Sequence, residues 1–145
     1  MIETKLIPSE LTYIVRQPVL RAGKPIESCR FDGDDLSTTV HIGLYKNNEI
    51  IGTVSIFEAK NKNFDFEKQY QVRGMAVLEN EQHNGYGNYL MTEVEKLAQH
   101  NKIELVWFNA REKAINFYKK LGYETFGTAF DIPEIGTHYV MWKQI

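Results

Sequence analysis

The spacing of apolar residues changes period across one short segment, Gln82-His83-Asn84-Gly85-Tyr86-Gly87. Before it, Tyr70 to Leu78, with Val72, Met75 and Val77, reads as a long strand. After it, Leu90, Met91, Val94, Leu97 and Ala98 recur at steps of three and four, so the helix that begins at Gly85 has one apolar face. A strand that runs through a turn into an amphipathic helix points to a sheet covered by helices. Two glycines one residue apart let the turn be tight and let a ligand approach the backbone. The first N–H groups of a helix have no acceptor inside it, and the helix dipole adds positive charge there. Gln82 to Gly87 contains no acidic side chain, although Glu79 and Glu81 lie just upstream. Such a turn can cradle a phosphate.

Two other phosphate signatures do not fit. A dinucleotide fingerprint needs a third Gly or Ala where Leu90 stands, and the Gly-Lys-Ser/Thr of a nucleoside triphosphate loop is absent. Taken alone, the segment also suits a glycine-containing helix entrance with no ligand.

Elsewhere, Ser9 to Leu20 reads as a helix capped by Ser9, with Leu11, Ile14 and Val15 at helical spacing. Pro18 is expected to kink or end it. Val40, Ile42 and Leu44 alternate with Thr39, His41 and Gly43, which predicts a strand with one buried face and an exposed His41. Asn47-Asn48 predicts a tight turn into a second strand, Ile50 to Phe57. Glu104 to Phe108 reads as a short strand. Asn109 with Glu112 matches a capping box for a helix carrying Ala114, Phe117, Tyr118 and Leu121 and ending at Gly122. Tyr123 to Ile145 reads as two strands joined near Pro133 and Gly136. The expected order is helix, three strands, helix, strand, helix, two strands: an α+β chain with a mixed sheet.

With 145 residues, the chain is one domain's worth, 1–145. Two Trp, eight Tyr and eight Phe provide for a sizeable core. Seventeen basic against nineteen acidic side chains give a net charge of −2, so no overall field attracts nucleic acid or an anionic membrane. The single Cys29 excludes an intrachain disulfide and a Cys-rich metal site, and reads as a small partly buried hydrophobe. No apolar run is long enough to span a bilayer and no signal peptide is visible, so the expected location is the cytoplasm.

The succession of motifs resembles the GNAT acyltransferase superfamily. Arg73-Gly74-Met75-Ala76-Val77 is similar to its central strand and Gln82 to Gly87 to its Gln/Arg-x-x-Gly-x-Gly/Ala pyrophosphate loop. Phe117-Tyr118-Lys119-Lys120-Leu121-Gly122-Tyr123 is similar to its last helix and the strand after it. The start Arg16-Gln17-Pro18-Val19-Leu20-Arg21 and the end Gly136-Thr137-His138-Tyr139-Val140-Met141 resemble a small bacterial branch of that superfamily.

The resemblance implies a mostly antiparallel twisted sheet flanked by helices, acetyl-CoA as co-substrate, no metal, and transfer to a primary amine on a small molecule or peptide. Sheet-edge homodimers are common in the superfamily. Pantetheine is expected along Met75, Ala76 and Val77 as an added strand. The thioester carbonyl is expected to receive an N–H near Ala76 or Val77. The pyrophosphate is expected on the N–H groups of Gln82, His83, Asn84, Gly85, Tyr86, Gly87 and Asn88. Tyr118 matches the family's acid tyrosine. Seven residues before it, Arg111 stands where the family often has a cofactor-contacting Asn. Arg111 and Asn109 are both candidates for that contact.

Attack by an amine requires loss of a proton, and a histidine titrates in a suitable range. His138, on a strand that flanks the acceptor side by resemblance, is the candidate base. Glu58 and an ordered water are its rivals. His83 and His100 read as local supports. Arg16, Arg21, Arg30 and Arg73 could attract a carboxylate-bearing acceptor, but as isolated arginines they read as surface charges. A non-catalytic CoA-binding module on the same scaffold is the alternative function.

Overall fold

Asn47 and Asn48 both adopt left-handed backbone, with φ of 51° and 70°. This geometry matches the twist of paired strands, so it closes a tight antiparallel hairpin between β2 (Val40–Lys46) and β3 (Glu49–Glu58). The computed structural model describes residues 1–145. The remaining elements are β1 (Ile2–Ile7), α1 (Ser9–Leu20), β4 (Gln69–Val77), α2 (Tyr86–His100), β5 (Leu105–Arg111), α3 (Ile115–Lys120), β6 (Glu124–Ile132) and β7 (Gly136–Gln144). The strands form one sheet in the order β1-β2-β3-β4-β5-β7-β6. All neighbours are antiparallel except β4 and β5.

The expected mixed sheet flanked by helices is present. Even-numbered residues of β2, β3 and β5, such as Ile42, Leu44, Val54, Ile56, Val106, Phe108 and Ala110, face one side. There they join Leu90, Met91, Val94 and Ala98 of α2 and Tyr118 of α3 in the main core. Alternation along each strand sends His41, Thr53 and Ser55 to the other face, which α1 covers.

Four details depart from the sequence reading. β1 was not expected; it is ordered by pairing with β2 from Ile2↔Lys46 to Ile7↔His41. Ser9 does not cap α1: Pro8 takes the cap position, and the Ser9 hydroxyl donates to Asp35 at 2.6 Å. Asn109 does not cap a helix either. It lies inside β5 opposite Val140, because β7 holds β5 extended through Arg111↔His138, and α3 begins only at Ile115. His41 is buried, and Arg16 is fully buried, so neither is a surface group. In keeping with the sequence reading, α1 spans Ser9–Leu20 and ends two residues after Pro18.

Candidate active site

β4 and β5 pair only at Gln69↔Leu105, Tyr70↔Val106 and Gln71↔Trp107. Beyond that point the two parallel strands separate. From Val72 to Val77, β4 keeps its partner on the β3 side alone, while Phe108 to Arg111 of β5 pair with β7 alone. The result is a notch inside the sheet, walled on one side by an unpaired strand edge. A bulge lies on this edge. Arg73 pairs with Ser55 and Ala76 with Thr53, so β4 advances three residues against two on β3. Gly74 takes the left-handed conformation this requires, with φ of 65°.

Strand alternation identifies which backbone groups face the notch. The Leu78 N–H donates to Ile51 of β3 at 2.8 Å, so Val77 turns its N–H and C=O the opposite way. Accordingly, the Val77 carbonyl accepts a hydrogen bond from the Gln82 side chain at 2.9 Å. The Ala76 carbonyl lies against Gly52 of β3. Of Met75, Ala76 and Val77, the central residue is therefore committed to the sheet, and Met75 and Val77 border the notch.

The turn from Gln82 to Asn88 stands at the end of this edge. Gln82 anchors it through Val77, and Asn84 donates to the Glu81 carbonyl at 3.1 Å. Gly85 is the α2 cap residue with φ of 81°, and no side chain caps the helix. The N–H groups of His83, Asn84, Gly85, Tyr86, Gly87 and Asn88 have no acceptor within the protein. Six consecutive unshared amides at a helix N-terminus make a cradle for an anion. A Cβ on Gly87 would come within 3.1 Å of the Phe117 ring and 3.5 Å of the Met75 methyl, so this residue lets α2, α3 and β4 close together.

Tyr118 projects from α3 into the core beneath β5. Its ring lies 4.4 Å from Phe108 and 5.0 Å from Phe117, centroid to centroid. Burial pushes its phenol up to about 12. The hydroxyl has no hydrogen-bond partner in the protein, yet it is not sealed from solvent; Arg16 Nε is the one sealed side-chain polar atom without a partner. Tyr118 thus presents a phenol that stays protonated and has its hydrogen unshared.

His138, Asn109 and Arg111 lie on the opposite face of the sheet. Arg111 pairs directly with His138, and Asn109 with Val140; directly paired residues share a face, and both alternate with the core residues Phe108 and Ala110. His138 is only 4% exposed. Its Nδ1 lies 2.7 Å from the Gly136 carbonyl, which can only accept, so Nδ1 carries a hydrogen and, in the neutral ring, Nε2 holds the lone pair. Nε2 has no protein partner and is not sealed. Arg111 is half-buried and Asn109 exposed.

Sequence reasoning did not foresee the polar cluster under α1. Arg16 donates to Asp34 through Nη1 at 2.6 Å and Nη2 at 3.1 Å, to the Cys29 carbonyl at 2.7 Å and to Ser55 at 2.8 Å. His41 bridges Ser55 at 2.6 Å and the Asp34 carbonyl at 2.8 Å. Burial pulls the Asp34 carboxyl up, but the Arg16 hydrogen bond, the Phe31 N–H and the Arg16 charge together hold it below the ordinary range. Only the loop returning Asp34 beneath α1 assembles this cluster, and no spacing in the sequence announces it.

An interior strand edge with an amide cradle at its end can hold an extended chain that carries an anionic group. A family model described as the acetyltransferase (GNAT) family matches residues 10–123. The chain belongs to that family and is an acyltransferase. It is 33% identical over 145 residues to the uncharacterized N-acetyltransferase YitI of Bacillus subtilis (strain 168), across 100% of this chain and 97% of that one. Its fold matches Escherichia coli ElaA with a TM-score of 0.75 at 23% identity, over 99% of each chain. It also matches an aminoglycoside 6'-N-acetyltransferase complexed with coenzyme A, with a TM-score of 0.78 at 11% identity, over 98% of this chain and 96% of that one. No helix is long and apolar enough to cross a membrane.

Proposed function

We propose that the protein transfers an acetyl group from acetyl-CoA to a primary amine by direct attack within a ternary complex. The observation that carries this reading is the row of six unshared amides, His83 to Asn88, at the end of an unpaired β4 edge. A diphosphate suits the cradle, and a thin chain bearing amides suits the strand edge. The coenzyme A in the aminoglycoside acetyltransferase of the same fold supports this choice. Bound there, acetyl-CoA would supply an activated acyl group and a thiolate leaving group.

The chain's own residues then divide the work. Backbone N–H groups of Met75 and Val77 hold the pantetheine arm, and a notch-facing N–H donates to the thioester carbonyl as charge builds on it. Tyr118 hands its proton to the departing sulfur. His138 accepts the proton of the attacking amine at Nε2, with Nδ1 held by Gly136. Arg111 and Asn109 stand on the His138 face, where they border the acceptor. Cys29 is buried, with its carbonyl accepting from Arg16, and takes no covalent role.

The test is calorimetric titration with acetyl-CoA, followed by thiol release with a panel of amines. The expected result is one-to-one binding and thiol release that depends on the amine. Absence of acetyl-CoA binding would overturn the reading. Binding without turnover of any amine would leave the chain a CoA-holding module.

A further inference from the structure

Three guanidinium groups surround the Phe31 ring. The Cζ of Arg16 lies 3.8 Å from its centroid, that of Arg73 4.7 Å and that of Arg21 5.4 Å. One buried carboxylate serves them, and it is fully engaged: Asp34 accepts two bonds from Arg16 and one from the Phe31 N–H. Arg21 is tied down by bonds from Nε to the Ser28 carbonyl at 3.3 Å and from Nη1 to the Leu20 carbonyl at 3.0 Å. Arg73 makes no hydrogen bond within the protein and has no carboxylate within 4.0 Å, although it is half-buried and sits 5.5 Å from the Phe57 ring. Burial lowers its pKa; the charges of Asp34 and, more weakly, Asp32 oppose this, while Arg16 and Arg21 reinforce it.

An unpaired guanidinium between two aromatic rings is costly to hold and ready to bind. Its position gives it a purpose. Arg73 immediately precedes the Gly74 bulge and lies two residues before Met75. It shares the α1 face with Ser55, its partner on β3, and so stands on the face that carries His138.

Resting on the acetyl-transfer reading, we infer that Arg73 recognises the acceptor through a carboxylate, and that the substrate is a small amine carrying that carboxylate a few bonds from its nitrogen. A carboxylate matches the guanidinium fork with two parallel hydrogen bonds, and Phe31 and Phe57 shield the pair. Asp32, exposed next to Phe31, disfavours a doubly charged group such as a phosphate.

The experiment compares matched acceptors: α- and ω-amino acids of increasing length, the corresponding alkylamines, and aminoethyl phosphate. Each is assayed by thiol release from acetyl-CoA with the native protein, Arg73→Gln and Arg73→Lys. The native protein is expected to favour the best amino acid over its alkylamine by roughly 10–100-fold in kcat/KM, the range of a charged hydrogen-bonded pair. Arg73→Gln should bring that ratio close to one, mainly through KM, and Arg73→Lys should restore part of it. Unchanged acetyl-CoA binding by Arg73→Gln shows that the variant is folded. A ratio near one in the native protein, a ratio that survives Arg73→Gln, or a preference for aminoethyl phosphate would each overturn the inference. If no amine turns over, N-acetyl amino acids are titrated instead, and failure to bind any of them overturns it too. Loss of acetyl-CoA binding by the native protein would instead remove the acetyl-transfer reading beneath it.

Discussion

Tyr118 and His138 lie on opposite faces of the same pair of strands. Tyr118 stacks on Phe108 of β5, and His138 pairs with Arg111 three residues further along that strand, where alternation reverses the side-chain direction. A proton donor and a proton acceptor so separated cannot exchange with each other directly. In the proposed transfer, each would serve a different end of the reaction.

Replacing Tyr118 by Phe removes a hydroxyl that has no partner in the protein, so stability should change by no more than about 1 kcal/mol. Turnover should fall roughly 10²–10⁴-fold, the usual range for a positioned acid. Acetyl-CoA affinity measured by calorimetry should stay within a few fold. A variant with native turnover would release Tyr118 from the acid role.

His138→Ala should lower kcat/KM by a similar factor, roughly 10²–10⁴-fold, with acetyl-CoA binding retained. Amine acceptors of low pKa, already neutral at the assay pH, should be affected least. Equal losses for all amines would assign His138 to structure, through its bond to Gly136.

Gly87→Val places methyl groups against Phe117, the ring 3.1 Å from the Cβ position, and next to the amides of the cradle. Acetyl-CoA affinity should weaken at least tenfold, roughly the worth of one charged hydrogen bond. Thermal unfolding should move to lower temperature as well, because a side chain here crowds Phe117 and Met75 where α2, α3 and β4 close together. Native affinity in this variant would move the diphosphate elsewhere.

Alkaline stability should reflect the buried phenols. Tyr118 is raised by burial to about 12, and Tyr123 is raised further, by burial first and then by Glu95, to which its hydroxyl donates at 2.9 Å. The folded state therefore keeps protons that the unfolded chain loses near pH 10, and stability should fall as pH rises above about 10. For Tyr118 the loss is on the order of 2–3 kcal/mol by pH 12. Urea unfolding at pH 9 and 11 should show a smaller decline for Tyr118→Phe than for the native protein.

Breaking the Arg16–Asp34 pair by Asp34→Ala leaves a fully buried cation without its counter-ion and should cost about 3–5 kcal/mol. The Asp34 carboxyl is lowered in the fold, so its contribution is present above the unfolded value near pH ~4 and is lost as pH falls below it. Acid titration of unfolding should show that loss in the native protein and not in the variant.

Legibility followed the range of the interactions involved. The α2 face, the Asn47-Asn48 hairpin and the Gln82–Gly87 turn depend on neighbours in sequence, and their patterns were plain. β1 was not, because its apolar residues do not alternate cleanly and Leu6 stays 75% exposed; pairing with β2, some 40 residues away, orders it. Asn109 and Glu112 have the spacing of a capping box, but the ladder from β5 to β7 overrides that local preference. The burial of Arg16 and His41 depends on Asp34, brought in by a loop whose path no periodicity encodes. At the site, the cradle is local in sequence, whereas the isolation of Arg73 depends on Arg16 occupying Asp34, a contact made only by the fold.

The parting of β4 from β5 has a further consequence. Exposed strand borders invite other polypeptides to dock and grow fibres. Here the unsatisfied border is set in the middle of the sheet, with β5, β7 and β6 standing beyond it. A slender, linear molecule can thread the gap, but another protein's ribbon cannot lie flat in it. The fold thereby keeps main-chain donors and acceptors available for recognition without offering a template for aggregation.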